Sequence, residues 1–177
     1  MFQNDKAYSL LELVMTLALV SIVLTLGVPS LGKLVADHRM RTDADRLFHA
    51  IHLARKESVV RRRVVTLCPS NDGLSCEPSF DWSMGFMMFV NRDRSQPLVR
   101  ENDEPVLIWH RGNGHNQIVA NRQGFSLRST ELRATNGTII ICDPESRAEA
   151  RAVVVSYTGR PRVTRKDRRG RPYECAR

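Results

Sequence analysis

Aromatic residues are scarce in this chain, at 6% of 177 positions, and there are only four cysteines, none in a Cys-x-x-Cys pair. The missing pair excludes the usual zinc-ribbon and thioredoxin-type motifs. No Gly-x-Ser-x-Gly elbow and no phosphate loop with its lysine occurs, which removes the common signatures of serine hydrolases and nucleotide triphosphatases. His49 and His52 fall on nearly one helix face but lack a third ligand, and His110 and His115 flank Arg111-Gly112-Asn113-Gly114, which reads as a turn. Nothing here points to an enzyme, a metal or a cofactor. Internal repeats and low-complexity tracts are also lacking. Charged residues make up 26% of the chain and long apolar runs are few, so a polytopic membrane protein is excluded.

One apolar run is present. Leu10 to Val28 reads LLELVMTLALVSIVLTLGV, 19 residues whose single charge is Glu12. A run of about 20 apolar residues spans a bilayer as a helix. A secretory signal has a core of only about 7–15 residues and a small-x-small cleavage site, and neither feature fits. A carboxylate inside a membrane helix costs roughly 2.5 kcal/mol or more unless it finds a partner. Glu12 therefore calls for a role.

Beyond Pro29 the helical pattern continues. Met40, Ala44, Leu47, Phe48, Ile51, Ala54 and Ser58 recur at helical spacing, with Arg39, Asp43, Asp45, Arg46, Arg55 and Lys56 on the other face. Asp37 or Asp43 with Arg41 or Arg46 has ion-pair spacing. The helix is expected to end near Val60 to Arg62. Short strands then follow at Val64–Leu67, Gly85–Val90, Val106–Trp109, Gln117–Val119, Phe125–Leu127, Thr138–Ile141 and Ala152–Val155, separated by Gly, Pro, Asn and Asp. Strands in succession without intervening helices predict antiparallel pairing. The fold class is α+β: a long N-terminal helix, half membrane and half amphipathic, packed on one or two antiparallel β-sheets.

The charge is concentrated at one end. The net charge is +8, and residues 158–177 carry Arg160, Arg162, Arg165, Lys166, Arg168, Arg169, Arg171 and Arg177 against Asp167 and Glu174, or +6 of that total. Arginine's planar fork suits phosphate, and its plane stacks on bases. Tyr157 and Tyr173 border the segment and offer stacking surfaces. This points to nucleic acid. Arg61-Arg62-Arg63 is a second basic cluster, read equally well as an extension of the patch or as a helix C-terminal cap.

Lys6-Ala7-Tyr8-Ser9-Leu10-Leu11-Glu12-Leu13-Val14 resembles the class III signal of type IV pilins and pseudopilins. The resemblance implies a leader of residues 1–7, cut by a prepilin peptidase between Ala7 and Tyr8. It implies N-methylation of Tyr8, an assembly role for Glu12 as the fifth mature residue, and a helix kink at Pro29, the twenty-second. Two positions depart from the usual family residues, Ala7 where glycine is common and Tyr8 where phenylalanine or methionine is. The resemblance also implies a transmembrane helix half over 8–34 and a periplasmic globular domain over 35–177, with residues 158–177 as its basic tail. The subunit would sit in inner-membrane lipid and then join other pilins in a pilus at the cell surface.

The layout is also similar to the minor pseudopilin H and FimT-like minor pilins, on Leu67-Cys68-Pro69-Ser70, Cys76, Trp82-Ser83-Met84-Gly85-Phe86, Ile141-Cys142-Asp143 and Arg151 through Arg160. In the FimT-like branch a C-terminal Gly-Arg-x-Arg motif is associated with DNA binding and natural transformation, and Gly159-Arg160-Pro161-Arg162 matches it. DNA held by its phosphates, with little sequence preference, is then the expected partner, through Arg160, Arg162, Arg165, Lys166, Arg168, Arg169 and Arg171. A structural H-type pseudopilin of a type II secretion system is the alternative. A periplasmic domain is oxidised. Of the three pairings open to four cysteines, Cys68–Cys76 and Cys142–Cys175 are favoured. They close a short turn-rich loop and a longer C-terminal one, contributing roughly 2.5 and 3–4 kcal/mol.

Overall fold

The computed structural model of the protein describes residues 9–93, 98–128 and 133–175. Ala7 and Tyr8, the expected cleavage and methylation positions, lie outside the described residues. A 52-residue helix, α1, runs from Leu10 to Arg61. Ser9 caps it: the Glu12 N–H donates to Ser9 Oγ at 3.2 Å. Ser-x-x-Glu at a helix start is the capping-box pattern, and the Glu12 charge favours the positive end of the helix dipole. Pro29 sits within this continuous helix. It has no N–H to give to the Thr25 carbonyl, so one rung of the helical ladder is absent there. The helix stops at Arg62, in the left-handed conformation with φ 53°, whose N–H bonds the Val59 carbonyl at 3.3 Å.

The two halves of α1 differ in what they touch. In its first half, the apolar run, residues 10–25 are exposed. Burial begins at Ala36 and continues through Met40, Ala44, Leu47, Ile51, Ala54 and Ser58, most of the expected face. Phe48 is only half-buried, and Asp43, expected on the polar face, is buried because Arg46 and Asn116 satisfy its carboxylate. Burying a side chain such as Met40, Leu47 or Ile51 contributes about 1.5–3 kcal/mol.

Eight strands follow: β1 Val64–Pro69, β2 Gly85–Asn91, β3 Val106–Arg111, β4 Gln117–Ala120, β5 Phe125–Leu127, β6 Gly137–Cys142, β7 Arg151–Val155 and β8 Pro161–Thr164. They form two antiparallel sheets, in order β3-β2-β1-β5 and β4-β6-β7-β8. Seven strands match the expected segments within a residue or two. The eighth falls inside the basic tail. β8 opens on Pro161, a residue tolerated at the first position of an edge strand, and pairs Val155 with Pro161, Val154 with Arg162 and Val153 with Val163. Helix and both sheets share one core, which includes Leu47, Ile51, Trp82, Phe125, Ile139 and Val153.

Every residue of β1 and β2 is buried. One face of this pair meets the main core. The other holds a small cluster of Cys68, Met87 and Phe89, against which Cys76 and Val106 pack. The Cys68–Cys76 disulfide closes the loop above it, with Cα atoms 5.6 Å apart. Asp72 organises that loop by accepting the N–H groups of Leu74 and Ser75 at 2.8 and 3.0 Å. Those donors, the Ser75 N–H foremost, hold its carboxyl down at about 2.

Ion pairs tie the helix to the second sheet. Asp37 pairs with Arg41 one turn on at 3.8 Å, as its spacing predicts. Its tighter partner is Arg151 of β7, at 2.7 Å. Asp43 pairs with Arg46 at 3.0 Å and also accepts from the Asn116 side chain at 2.6 Å.

Candidate nucleic-acid interface

The basic segment is built around two tight turns of the same design. In the first, Ser156 to Gly159, the Gly159 N–H donates to the Ser156 carbonyl at 2.9 Å. In the second, Asp167 to Gly170, the Gly170 N–H donates to the Asp167 carbonyl at 3.1 Å. Ser or Asp at the first position and Gly at the fourth is the signature of the commonest turn. The first turn joins β7 to β8, and its Ser156 hydroxyl accepts the Arg160 N–H at 3.1 Å. The second closes a small hairpin in which Lys166 and Pro172 form a bridge.

Gly159, the glycine of the Gly-Arg-x-Arg motif, has a structural reason to be there. Its φ is +70°, and a Cβ would stand 2.8 Å from Leu127 Cδ1 and 3.3 Å from Ala134 Cβ. A side chain at this position would meet both backbone strain and a crowded core. Arg160 is therefore launched from a fixed point, and Arg162 projects from a paired strand.

Asp167 is the organiser of the second turn. Its Oδ1 accepts the N–H groups of Arg169 and Arg171 at 2.8 and 2.9 Å, and its Oδ2 accepts Nε and Nη2 of Arg171 at 3.0 and 2.9 Å. The Arg171 N–H, first among these donors, holds the Asp167 carboxyl below its ordinary value. In the sequence Asp167 reads only as an offsetting charge. The spacing Asp167-Arg168-Arg169-Gly170 was the available signal for its turn.

Between the two turns lies an open groove of about 700 Å³. Arg160, Arg162, Arg168 and Arg169 line it, together with Tyr157, Tyr173 and Asp167. The Cys142–Cys175 disulfide, with Cα atoms 5.9 Å apart, ties the far end of the segment to β6. The segment is thus a stapled loop on the edge of a sheet.

Not all the expected cations face this groove. Arg165 reaches Asp37 and Glu149, at 3.6 Å each, and lines a separate cleft of about 430 Å³ with Ser30 and Lys33. Arg171 is held by Asp167. Lys166 is exposed, and its N–H is bonded to Thr164 Oγ1 at 3.2 Å. In the second basic cluster, Arg61 pairs with Glu57 at 2.6 Å and Arg62 forms the helix cap; none of Arg61, Arg62 and Arg63 lines the groove.

Three of the five histidines contact an aromatic ring, and His115 is exposed. His49 and His52 make edge-on contacts with Phe48, at ring separations of 5.4 and 4.7 Å. His110 packs against Phe86, and burial pushes its pKa down. Among the described residues no group of His, Cys, Asp or Glu is arranged to hold a metal ion.

A long N-terminal helix laid on antiparallel sheets is the architecture of type IV pilins. Residues 43–159 match the family described as type II transport protein GspH, and the chain belongs to that family of minor pilins and pseudopilins. Two crystal structures of the type IV minor pilin FimU of Pseudomonas aeruginosa share the fold. One is 19% identical, over 70% of this chain and 91% of that chain, with a TM-score of 0.51. The other is 18% identical, over 72% and 90%, with a TM-score of 0.53. Comparison with curated proteins gives no match. The family match ends at Gly159, so the basic segment beyond it is read from its own geometry.

Proposed function

We propose that this protein is a minor type IV pilin that captures DNA through the groove between its two C-terminal turns and so supports DNA uptake in natural transformation. The observation that carries this reading is the convergence of Arg160, Arg162, Arg168 and Arg169 on one groove. Among the described residues these four have no carboxylate within ion-pair distance, whereas Arg165 and Arg171 do. Free guanidinium groups carried by a paired strand and its flanking turns suit phosphate oxygens. Phosphate contacts carry no base information, so little sequence preference follows.

The test is binding of the full chain, in nonionic detergent, to duplex DNA across a salt series. Four phosphate contacts give a slope of log affinity on log salt of about −3.6. Absence of binding to both duplex and single-stranded DNA at low salt would leave the second reading, a structural H-type pseudopilin of a type II secretion system, which the description of the matched family favours.

Either reading involves the same biogenesis. The single apolar helix fits an inner-membrane anchor with the sheets on the periplasmic side, before assembly into a filament with other pilins. Prepilin peptidase cleaves between Ala7 and Tyr8, Tyr8 is methylated, and Glu12 then pairs with the mature amino group of a neighbouring subunit. The absent hydrogen bond at Pro29 is where the helix bends to fit that packing. Intact mass of the protein from assembled filaments is expected to show loss of Met1 to Ala7 and gain of one methyl group; retention of the leader there would end this account. Glu12→Ala is expected to insert in the membrane but to be depleted from filaments.

A further inference from the structure

We propose that the groove takes single-stranded DNA in preference to duplex, with a base stacked on the rings of Tyr157 and Tyr173. This deepens the DNA-capture reading and rests on it. Only three tyrosines occur in the chain, and two of them line this one groove with the four free arginines. Tyr157 is 59% exposed. Nothing in the core requires it, and its ring is presented by a turn fixed at both ends by the Ser156 hydrogen bonds. Tyr173 follows the second turn, where its N–H meets the Arg165 carbonyl at 3.4 Å. The Cys142–Cys175 disulfide lies two residues beyond it.

Shape separates the two forms of DNA. A duplex keeps its bases stacked inside and offers a protein its convex phosphate ridges and groove edges. A concave site lined by rings is satisfied only by a base that has left the stack. The groove's volume of about 700 Å³ falls in the range of roughly 300–1,000 Å³ typical of small-ligand sites, which suits a nucleotide or two of an extended strand. Aromatic platforms beside cationic tracks are the general means of holding single strands. The one carboxylate of the groove does not oppose an anion, because Asp167 is neutralised by Arg171 at 2.9 Å. The rings supply stacking and the arginines hold the phosphates on either side.

The experiment uses the full chain in nonionic detergent. Fluorescence anisotropy would follow a labelled oligothymidylate of about 12 nucleotides, within the usual site size of a single-strand groove, and a duplex of equal length. The unaltered chain is expected to bind the strand roughly tenfold tighter than the duplex. Tyr157→Ala with Tyr173→Ala is expected to lose roughly tenfold or more on the strand and under about twofold on the duplex. Tyr157→Phe with Tyr173→Phe keeps the rings and is expected to bind both as the parent does. Tyr157→Ala alone, at an exposed turn position, guards against misfolding and is expected to lose about fivefold on the strand only. Equal losses on strand and duplex, or no loss on the strand, would overturn the stacking proposal while leaving DNA capture standing. A parent that binds neither probe would overturn both.

Discussion

Replacing Arg160 and Arg162 together with glutamine is expected to lower duplex affinity roughly thirtyfold at about 0.15 M salt and to halve the salt slope, to about −1.8. The reason is counterion release: each lost phosphate contact removes nearly one ion from the exponent. The fold should survive, because both side chains are exposed and the pairing of β8 with β7 uses only backbone groups. Glutamine retains donors and length, so the loss reads the charge. Filament assembly should be unaffected and transformation frequency should fall. The same double change at Arg165 and Arg171 is the control. Those two are already held by Asp37, Glu149 and Asp167, and affinity should change by under about threefold. Equal effects from the two pairs would mean that the groove is not the site.

Asp37→Ala is expected to destabilise the soluble region by about 2 kcal/mol. Arg151 opposite it is 7% exposed, and removing one partner of a buried pair leaves a charge without its counterion. Asp37 itself is partly open to solvent, which reduces the loss from the roughly 3–5 kcal/mol of a fully buried pair. Urea unfolding of a fragment from Val35 onward would measure it, since among the described residues of the helix none before Ala36 is buried. Asp37→Ala combined with Arg151→Met should recover part of the loss, because no unpaired charge remains. The pH dependence has a definite sign. Arg151, through its hydrogen bond, holds the Asp37 carboxyl below its ordinary value of 3.8. A depressed carboxyl stabilises fully above the ordinary value and loses its contribution as pH falls through the lower, folded one. The parent and Asp37→Ala should therefore differ fully near neutrality, begin to converge as pH falls below that ordinary value, and meet only below the lower, folded one.

The legibility of this chain follows the range of its interactions. Periodicity located the helix face from Met40 to Ser58 because each core residue is set by its neighbours three and four positions away. Seven strands were legible for a similar local reason, runs of β-branched residues between turn formers. β8 was hidden because Pro-Arg-Val-Thr has one apolar residue, and its pairing is supplied by β7. The role of Asp37 was hidden by distance: its expected partner is four residues away, and its stronger one, Arg151, is 114 away. In the basic segment the sequence shows eight cations in a row of 20 residues without ranking them. Only the fold separates the four that line the groove from those held by carboxylates, because the separation depends on which acids approach from α1 and from the Asp167 turn.

The edge position of β8 has a consequence for a subunit that spends its life packed among copies. An uncovered sheet edge is a template for a further strand, and crowding in a filament raises the local concentration of such strands. Pro161 removes one donor from this edge, and the exposed Arg162 adds a charge that another strand must desolvate. One of these residues, Arg162, also lines the groove. An apolar substitution at Arg162 would therefore remove at once the charge that discourages edge pairing and one cation of the proposed DNA groove.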